Sequence, residues 1–587
     1  MRELTRRRET PRRTAAGQSR DGGRALSRRS FLSEAAAGAV MAAMPLASRG
    51  EDDGRRARIE AALPQKAPAV PKRPRRLLIF DLNVGYGNGH PSIPAANAAF
   101  AMMGKKTGAF ETVVTRDPAV FARESLKAFD AVFLNNTVGN LFGDPALRRS
   151  LLEFVCGGGG LMGVHGTSVA FTRWNEGGKE DWPEFAAMLG IRGAHHRAAD
   201  ERVVLRPEEP DHPVAACFGG QGFPLQDEFF RPKGTYSRSR NRVLLGIDLA
   251  KTDLANEPHD GCYRQDKDYA MAWVRQYGRG RIFYTAFGHH PAIFENPKLL
   301  AFYLAGAQFA LGDLAAPTLP SGRLTPALRA QERLGWRLGI EAYTFHKYTF
   351  FETVDKTAEL GLAYIGALSF QKVSDSIPKN FTPDLADDEL REIRLKLDAA
   401  GLRLLTYYIQ SIPGDEAGCR KIFEFGRKMG IETFMSEPAP EALPLIDRFC
   451  QEYDIRVALH NHDQKASPAY WNPDGILKAC EGRSAYIGAC ADVGYWLRGG
   501  VDPVAAVEKL GKRLTTLQLH DLSEAGPQGT DVPWGTGKGR TEELLRKIRE
   551  VGNAPVMFGL EYSKNWLTSM PEIKQCAEFF NALSLKV

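Results

Sequence analysis

Between residues 336 and 587 eight short apolar runs recur, at 338–345, 364–370, 403–410, 432–437, 456–463, 486–493, 514–522 and 556–562. Amphipathic stretches lie between them, and two of these, 387–400 and 417–429, run into a glycine, Gly401 and Gly430. A helix that ends on glycine stops cleanly, because glycine takes the left-handed backbone without a Cβ clash. Strand and helix in strict alternation impose a parallel sheet, and eight such units in about 250 residues make a closed (β/α)8 barrel. In a parallel barrel every strand ends at the same rim, so residues distant in sequence line one pocket. Five of the runs end on ionisable or metal-binding side chains: Glu437, His460 with His462, Asp492, His520 and Glu561. The gaps between successive marked residues run from 23 to 41, close to one strand-plus-helix unit.

Upstream, a second α/β body is expected over 76–311, with strands near 77–80, 131–134, 160–165 and 281–285. Charged, proline-bearing stretches at 49–75 and 312–335 read as linkers. The fold class is therefore α/β twice over, an open-sheet domain followed by a TIM barrel. The chain carries a net charge of +7, but residues 1–48 hold ten Arg, no Lys and four acids, and so supply +6 of it. The remainder is near neutral, without a basic stripe, which argues against a nucleic-acid surface. Arg28-Arg29-Ser30-Phe31-Leu32 followed by a short Ala-rich apolar run has the charged-then-apolar order of an export signal, and the paired arginines resemble a twin-arginine signal. Export to the periplasm or beyond, without a membrane anchor, is the expected localisation. None of the eight cysteines falls in a CxxC, so buried free thiols are the default.

The four histidines of the second body, His346, His460, His462 and His520, all sit at predicted strand ends and none on a helix. Side chains two apart on a strand share a side, so His460 and His462 both face the barrel mouth, as do Gln518 and His520. With Glu437, Asp492 and Glu561 they make a mixed nitrogen and oxygen set suited to Mn, Zn or Mg. Trp471, Trp496, Trp534 and Trp566 follow the last four strands, where indole faces can cover a sugar ring. The glycine-rich loop 531–539 lacks Walker spacing and reads as substrate-facing. In the first body His165 ends a strand at a sharp turn, the usual edge of a ligand crevice in an open sheet.

Two family resemblances follow. GGGGLMGVHGTS, WPEFAAMLG, EEPDHPV, LQDEFFR and YGRGRIFYTAFGHHPAIFENP, in that order, resemble the ThuA-like (trehalose-utilisation) family, whose fold is related to class I glutamine amidotransferases. His165 falls where amidotransferases carry their catalytic Cys, and Cys156 lies away from it, so thiol chemistry is not expected. The resemblance implies work on oxidised sugars, with a pocket of His165, His196, Asp211, Glu228 and His289. SEP, ALHNHDQ, YWNPD, IGACADVGYW, LHDL, DVPWGTGKG and LEYS resemble the xylose isomerase-like barrels of the sugar phosphate isomerase/epimerase and AP endonuclease 2 grouping. That resemblance implies a metal held by His460, Asp492, His520 and Glu561, with Glu437 and Glu561 as the acid/base pair. It further implies substrate contacts from His346, His462, Gln518, Trp471, Trp496 and Trp534. Two positions depart from the family: its strand-seven His falls on Gln518, and its Asp-x-x-His after strand six reads Asp492-Val493-Gly494-Tyr495. Gln and Tyr are poorer ligands than His, which leaves the metal's mode of binding open.

The expected activity is metal-assisted proton transfer beside a carbonyl of a sugar or keto-sugar, as in a sugar isomerase or epimerase, or elimination on a 3-keto-glycoside. The alternative is a carbohydrate-binding protein whose barrel site is degenerate. The expected partner is a small carbohydrate, not a nucleic acid.

Overall fold

The computed structural model describes residues 46–173, 177–232, 234–252, 254 and 262–587. Arg28, Arg29 and the apolar run behind them lie outside the described residues. No helix among the described residues is long and apolar enough to cross a membrane.

Residues Arg55–Val587 form one compact unit containing an open sheet and a closed barrel. The sheet and a small flanking ribbon use eleven strands: β1 (Arg76–Phe80), β2 (Glu111–Thr115), β3 (Ala131–Asn135), β4 (Gly160–Val164), β5 (Ala194–His195), β6 (Glu201–Pro207), β7 (Phe223–Asp227), β8 (Arg231–Pro232), β9 (Arg242–Ile247), β10 (Ala270–Tyr277) and β11 (Gly280–Thr285). Nine of them pair in the order β2-β1-β3-β4-β11-β10-β9-β6-β7, while β5 pairs with β8. From β2 to β11 the neighbours run parallel, and from β11 to β7 antiparallel. Within the parallel half β1, β3 and β4 are buried, as their unbroken apolar runs require, while β2 forms its exposed edge.

All eight expected strands of the C-terminal part form: β12 (Leu338–Ile340), β13 (Tyr364–Leu368), β14 (Arg403–Tyr408), β15 (Thr433–Ser436), β16 (Arg456–His460), β17 (Ile487–Asp492), β18 (Leu514–Leu519) and β19 (Phe558–Leu560). They close in sequence order, with β12 parallel to β19. Helices Asp387–Ala400 and Glu416–Met429 end as expected on Gly401 and Gly430, at φ 64° and 72°. The segment 312–335 carries helix Pro326–Leu334, and its Asp313 binds the buried Arg75 guanidinium.

Sheet and barrel meet through charged but buried contacts. Arg394 on helix Asp387–Ala400 donates to Glu184 through Nε (2.9 Å) and Nη2 (2.8 Å), and both side chains are buried. Arg275 on β10 pairs with Asp398, and Arg427 with Glu153 at 2.8 Å. Gly278 and Gly430 let two backbones touch: a Cβ on Gly430 would lie 2.4 Å from the Gly278 Cα. Arg279 reaches the carbonyl of Tyr453 at 3.0 Å, and Arg323 that of Leu362 at 2.8 Å. Leu362, Gly430 and Tyr453 precede β13, β15 and β16, whereas Gly157 and Gly278 precede β4 and β11. The two bodies therefore join by the amino ends of their parallel strands.

All eight cysteines are free; seven are buried and Cys217 is exposed.

Candidate functional site

At the carboxyl end of the barrel, strands β15 to β19 deliver two side-chain clusters. Glu437 follows β15, and its Oε1 accepts from His462 Nδ1 at 2.6 Å and from the Tyr408 hydroxyl at 3.3 Å. His460, at the end of β16, places Nδ1 at 3.6 Å from the same oxygen. Its Nε2 lies 2.5 Å from Gln518 Oε1 and 3.8 Å from Asp492 Oδ2. The second cluster is Asp492, His520 and Glu561, all buried, each offering one ligand atom within 4.8 Å of the others. His520 Nε2 lies 3.9 Å from Asp492 Oδ1 and 3.8 Å from Glu561 Oε1.

The chain builds this second cluster locally. Asp492 also caps the helix Val493–Arg498, accepting from the Tyr495 N–H, which fixes its carboxylate. Gly494 leaves room for the His520 ring, since a Cβ there would lie 2.9 Å from Cγ. His520 Nδ1 is 2.6 Å from Asp531 Oδ1. A carboxylate behind one ring nitrogen fixes the tautomer and turns the other nitrogen toward the site. Here Nε2 is buried without a hydrogen-bond partner, and so is Glu561 Oε2. Two buried polar atoms left without partners, facing an acid, match a divalent-ion ligand set better than a closed hydrogen-bond network.

Electrostatics separate the carboxylates. Burial disfavours the charge on Glu437, but the close His460 ring and the hydrogen bond from His462 outweigh it and hold the group well below the usual carboxylate range. His462 is raised: burial opposes its charge, and Glu437 more than compensates. Burial first, opposed by His520 and reinforced by Asp492 and Asp531, pushes Glu561 up to about 8. For His520, burial is overcome by Asp531 and Asp492, which lift it to about 9.

One consequence is measurable in the chelated protein. Glu561 and His520 hold protons in the folded state above their ordinary values of 4.5 and 6.5. The stability they contribute is complete below those values and is lost as pH rises through the folded ones, between about pH 5 and about pH 9. The urea midpoint of metal-free protein is expected to fall across that window and to flatten in E561Q. A midpoint independent of pH in the unsubstituted chain would contradict the shifts.

Several residues were not singled out by sequence. Glu341, the first residue after β12, is fully buried inside the barrel, and burial with the nearby Glu561 charge raises it well above the carboxylate range. Gly366 and Gly559 make space for it, since a Cβ on either would lie 2.2 and 2.6 Å from its carboxylate. Its signal was present in LGIE, a carboxylate at a strand end like the others. Asp531 had no such signal, lying eleven residues beyond His520 and reaching it through the bridge that pairs Leu522 with Asp531.

The tryptophans divide. Trp496 and Trp534 are 0% and 3% exposed within the barrel's hydrophobic layer, so neither offers a free face to a sugar. Trp534 is drawn inward against helix Met570–Ser584, near Phe580, and its backbone N–H donates to Cys576 Sγ at 3.4 Å. Trp471 and Trp566 remain half-buried. Trp566 lies edge-on to the His346 ring at 4.3 Å, and His346 stacks on Tyr343 at 4.5 Å. The loop 531–539 is tied down: Asp521 accepts from the backbone N–H of Gly535 (2.8 Å), Gly537 (3.1 Å) and Gly539 (2.7 Å). A Cβ at Gly537 would sit 2.4 Å from the Asp521 carboxylate, which is why glycine recurs there.

In the open sheet, His165 follows β4 at a left-handed φ of 42°, a strained turn for a non-glycine residue. Its Nε2 lies 3.1 Å from Glu228 Oε1, with His196 Nδ1 3.2 Å from the other oxygen and His289 Nδ1 3.5 Å from the first. Asp211 does not join them; it is exposed in a turn, beside a His212 that bonds the Pro317 carbonyl. In its place the structure brings in His90, buried against His165 and His289. Its position in a glycine-rich turn after β1 masked it in the sequence.

Residues 76–310 match the sequence model of the ThuA family, described as trehalose utilisation. No curated protein matches the chain. Among solved structures, an uncharacterised protein from Parabacteroides distasonis is 31% identical, covering 42% of this chain and 98% of its own, at a TM-score of 0.35. A sugar phosphate isomerase/epimerase from the same organism is 15% identical, over 42% of this chain and 94% of its own, at a TM-score of 0.33. The IOLI protein, solved with a zinc atom, is 16% identical, over 43% of this chain and 98% of its own, at a TM-score of 0.34.

Proposed function

We propose that the barrel moves a proton at the carbon beside the carbonyl of a sugar or keto-sugar derivative, giving isomerisation, epimerisation or, on a 3-keto-glycoside, elimination. The arrangement that carries this reading is geometric. Glu437, held ionised and hydrogen-bonded to His462 at 2.6 Å, shares the rim with the buried Asp492, His520 and Glu561, where His520 Nε2 and Glu561 Oε2 have no hydrogen-bond partner. The ionised carboxylate is the base, and Glu561 is the second proton carrier of the pair. Glu437 takes the C–H proton, and the electron pair of that bond moves onto the carbonyl oxygen as an enolate. His462, hydrogen-bonded to Glu437, orients the base. Delivery of a proton by Glu561 to the opposite face epimerises the carbon. In isomerisation the neighbouring hydroxyl proton passes to the enolate oxygen as the carbon-bound proton returns to the former carbonyl carbon. On a 3-keto-glycoside the enolate expels the glycosidic oxygen, which takes a proton as it leaves.

Asp492, His520 and Glu561 are the residues that would hold a divalent ion, with His460 and Gln518 beside them. Bound there, the ion would polarise the substrate carbonyl and stabilise the enolate oxygen. Asp531 positions His520, so D531N is expected to weaken metal binding about 10–100-fold; dialysis against graded chelator measures it, and an unchanged affinity would remove His520 from the ligand set. His346, Trp471 and Trp566 would receive the sugar at the rim. The match of residues 76–310 to a family described by trehalose utilisation also favours a carbohydrate.

The test is solvent deuterium incorporation into a panel of aldoses, ketoses and 3-keto-glycosides. Exchange into none of them would overturn the reading. Export rests on Arg28-Arg29 and the apolar run behind them. A protein with both arginines changed to lysine is expected to stay in the cytoplasm; export of that variant would rule out the twin-arginine route.

A further inference from the structure

We propose that the open sheet carries a metal centre of its own, in which His90, His165, His289 and Glu228 bind a divalent first-row transition ion such as zinc. These four residues each offer a ligand atom within 4.8 Å of the rest. The fold brings them together at one edge: His90 follows β1, His165 follows β4 and His289 follows β11, at the carboxyl ends of parallel strands, and Glu228 follows β7. Asp227 fixes the last histidine by accepting from the backbone N–H of Gly288, His289 and His290.

Three features point to a cation. First, three imidazoles converge on one carboxylate: His165 Nε2 and His289 Nδ1 lie 3.1 and 3.5 Å from Glu228 Oε1, and the His90 ring packs edge-on against both, at 4.9 and 5.4 Å. The other ring nitrogen of His165 lies 3.5 Å from the Ala286 carbonyl, the kind of backbone partner that commonly orients a ligating histidine. Second, His90 Nδ1 and His289 Nδ1 are buried without hydrogen-bond partners, His90 being only 4% exposed. Third, the 3.1 and 3.5 Å separations of His165 and His289 nitrogens from Glu228 Oε1 bracket the edge of a tetrahedron with bonds of about 2.0–2.1 Å. Three imidazoles and one carboxylate favour zinc and its first-row neighbours over magnesium or calcium. His90 and Glu228 also line a cavity of 120 Å³ bordered by Tyr86, Val138, Val169 and Phe230, from which a small hydroxyl or carbonyl oxygen can reach the ion.

The full chain carrying D492N and E561Q lacks two of the three ligands of the proposed barrel site, and the H90Q and H289Q step assigns the ion that remains to this centre. Equilibrium dialysis against Co²⁺ is expected to leave one ion per chain, and X-ray absorption at the cobalt edge to report three imidazoles and a carboxylate. Adding H90Q and H289Q is expected to abolish that binding. No bound cobalt in the D492N/E561Q protein, or cobalt with fewer than two imidazoles, overturns the proposal. So does unchanged binding after H90Q and H289Q. The absorption spectrum is read before those last substitutions, so it decides the matter even where they impair folding.

Discussion

E437Q is expected to slow solvent deuterium exchange into the substrate by about 10²–10⁴-fold, the usual contribution of a positioned general base. The amide keeps the shape of the carboxylate but cannot take a proton. A second readout separates this from a packing defect. His462 is raised because Glu437 accepts its hydrogen bond at 2.6 Å, so in E437Q its titration should fall back toward the ordinary histidine value. NMR of the imidazole follows that change without any substrate. A rate loss below about tenfold would place the base elsewhere in the rim.

The second large effect is on stability. E184Q removes the anion from Arg394, whose guanidinium is buried between helix Pro183–Leu189 and the barrel. What remains to it is the Lys428 carbonyl at 3.4 Å and Met429 Sδ at 3.9 Å, which do not balance a charge. Breaking one side of a buried ion pair costs about 3–5 kcal/mol, while replacing both sides with apolar groups is often neutral. The urea midpoint should therefore drop sharply in E184Q and recover in large part in E184Q/R394M. A double variant as unstable as the single one would mean that Glu184 acts through contacts other than Arg394.

Parallel strands buried on both faces leave apolar runs, and their helices leave glycine exits such as Gly401 and Gly430, so the eight barrel units were readable from sequence. The rim residues were readable for the same reason. What the sequence left open was which of Gln518 and His520 faces Asp492. Strand β18 stops at Leu519, so Gln518, paired in register with Asp492, turns its side chain to His460, while His520 begins the loop and swings onto Asp492 and Glu561. Glu341 was hidden because 338–345 reads as one strand, whereas Ala342–Phe345 is a 3-10 turn and Glu341 is the true strand end. Trp496 and Trp534 follow their strands as expected, but position along the chain does not say whether an indole turns outward or into the hydrophobic layer. Long-range pairings such as His520 with Asp531 and His90 with His165 depend on loop paths that no periodicity records.

The junction between the sheet and the barrel uses the amino ends of strands on both sides, while His165 and Glu437 lie beyond carboxyl ends. The two clusters are thus mounted back to back, opening in opposite directions. A molecule released at one would have to travel around the protein to reach the other. Were the two to act on one sugar in turn, the intermediate would be diluted into the surroundings before its second encounter. An added scavenging enzyme would intercept it, and separate chains carrying one working site each would together do as well as the fusion.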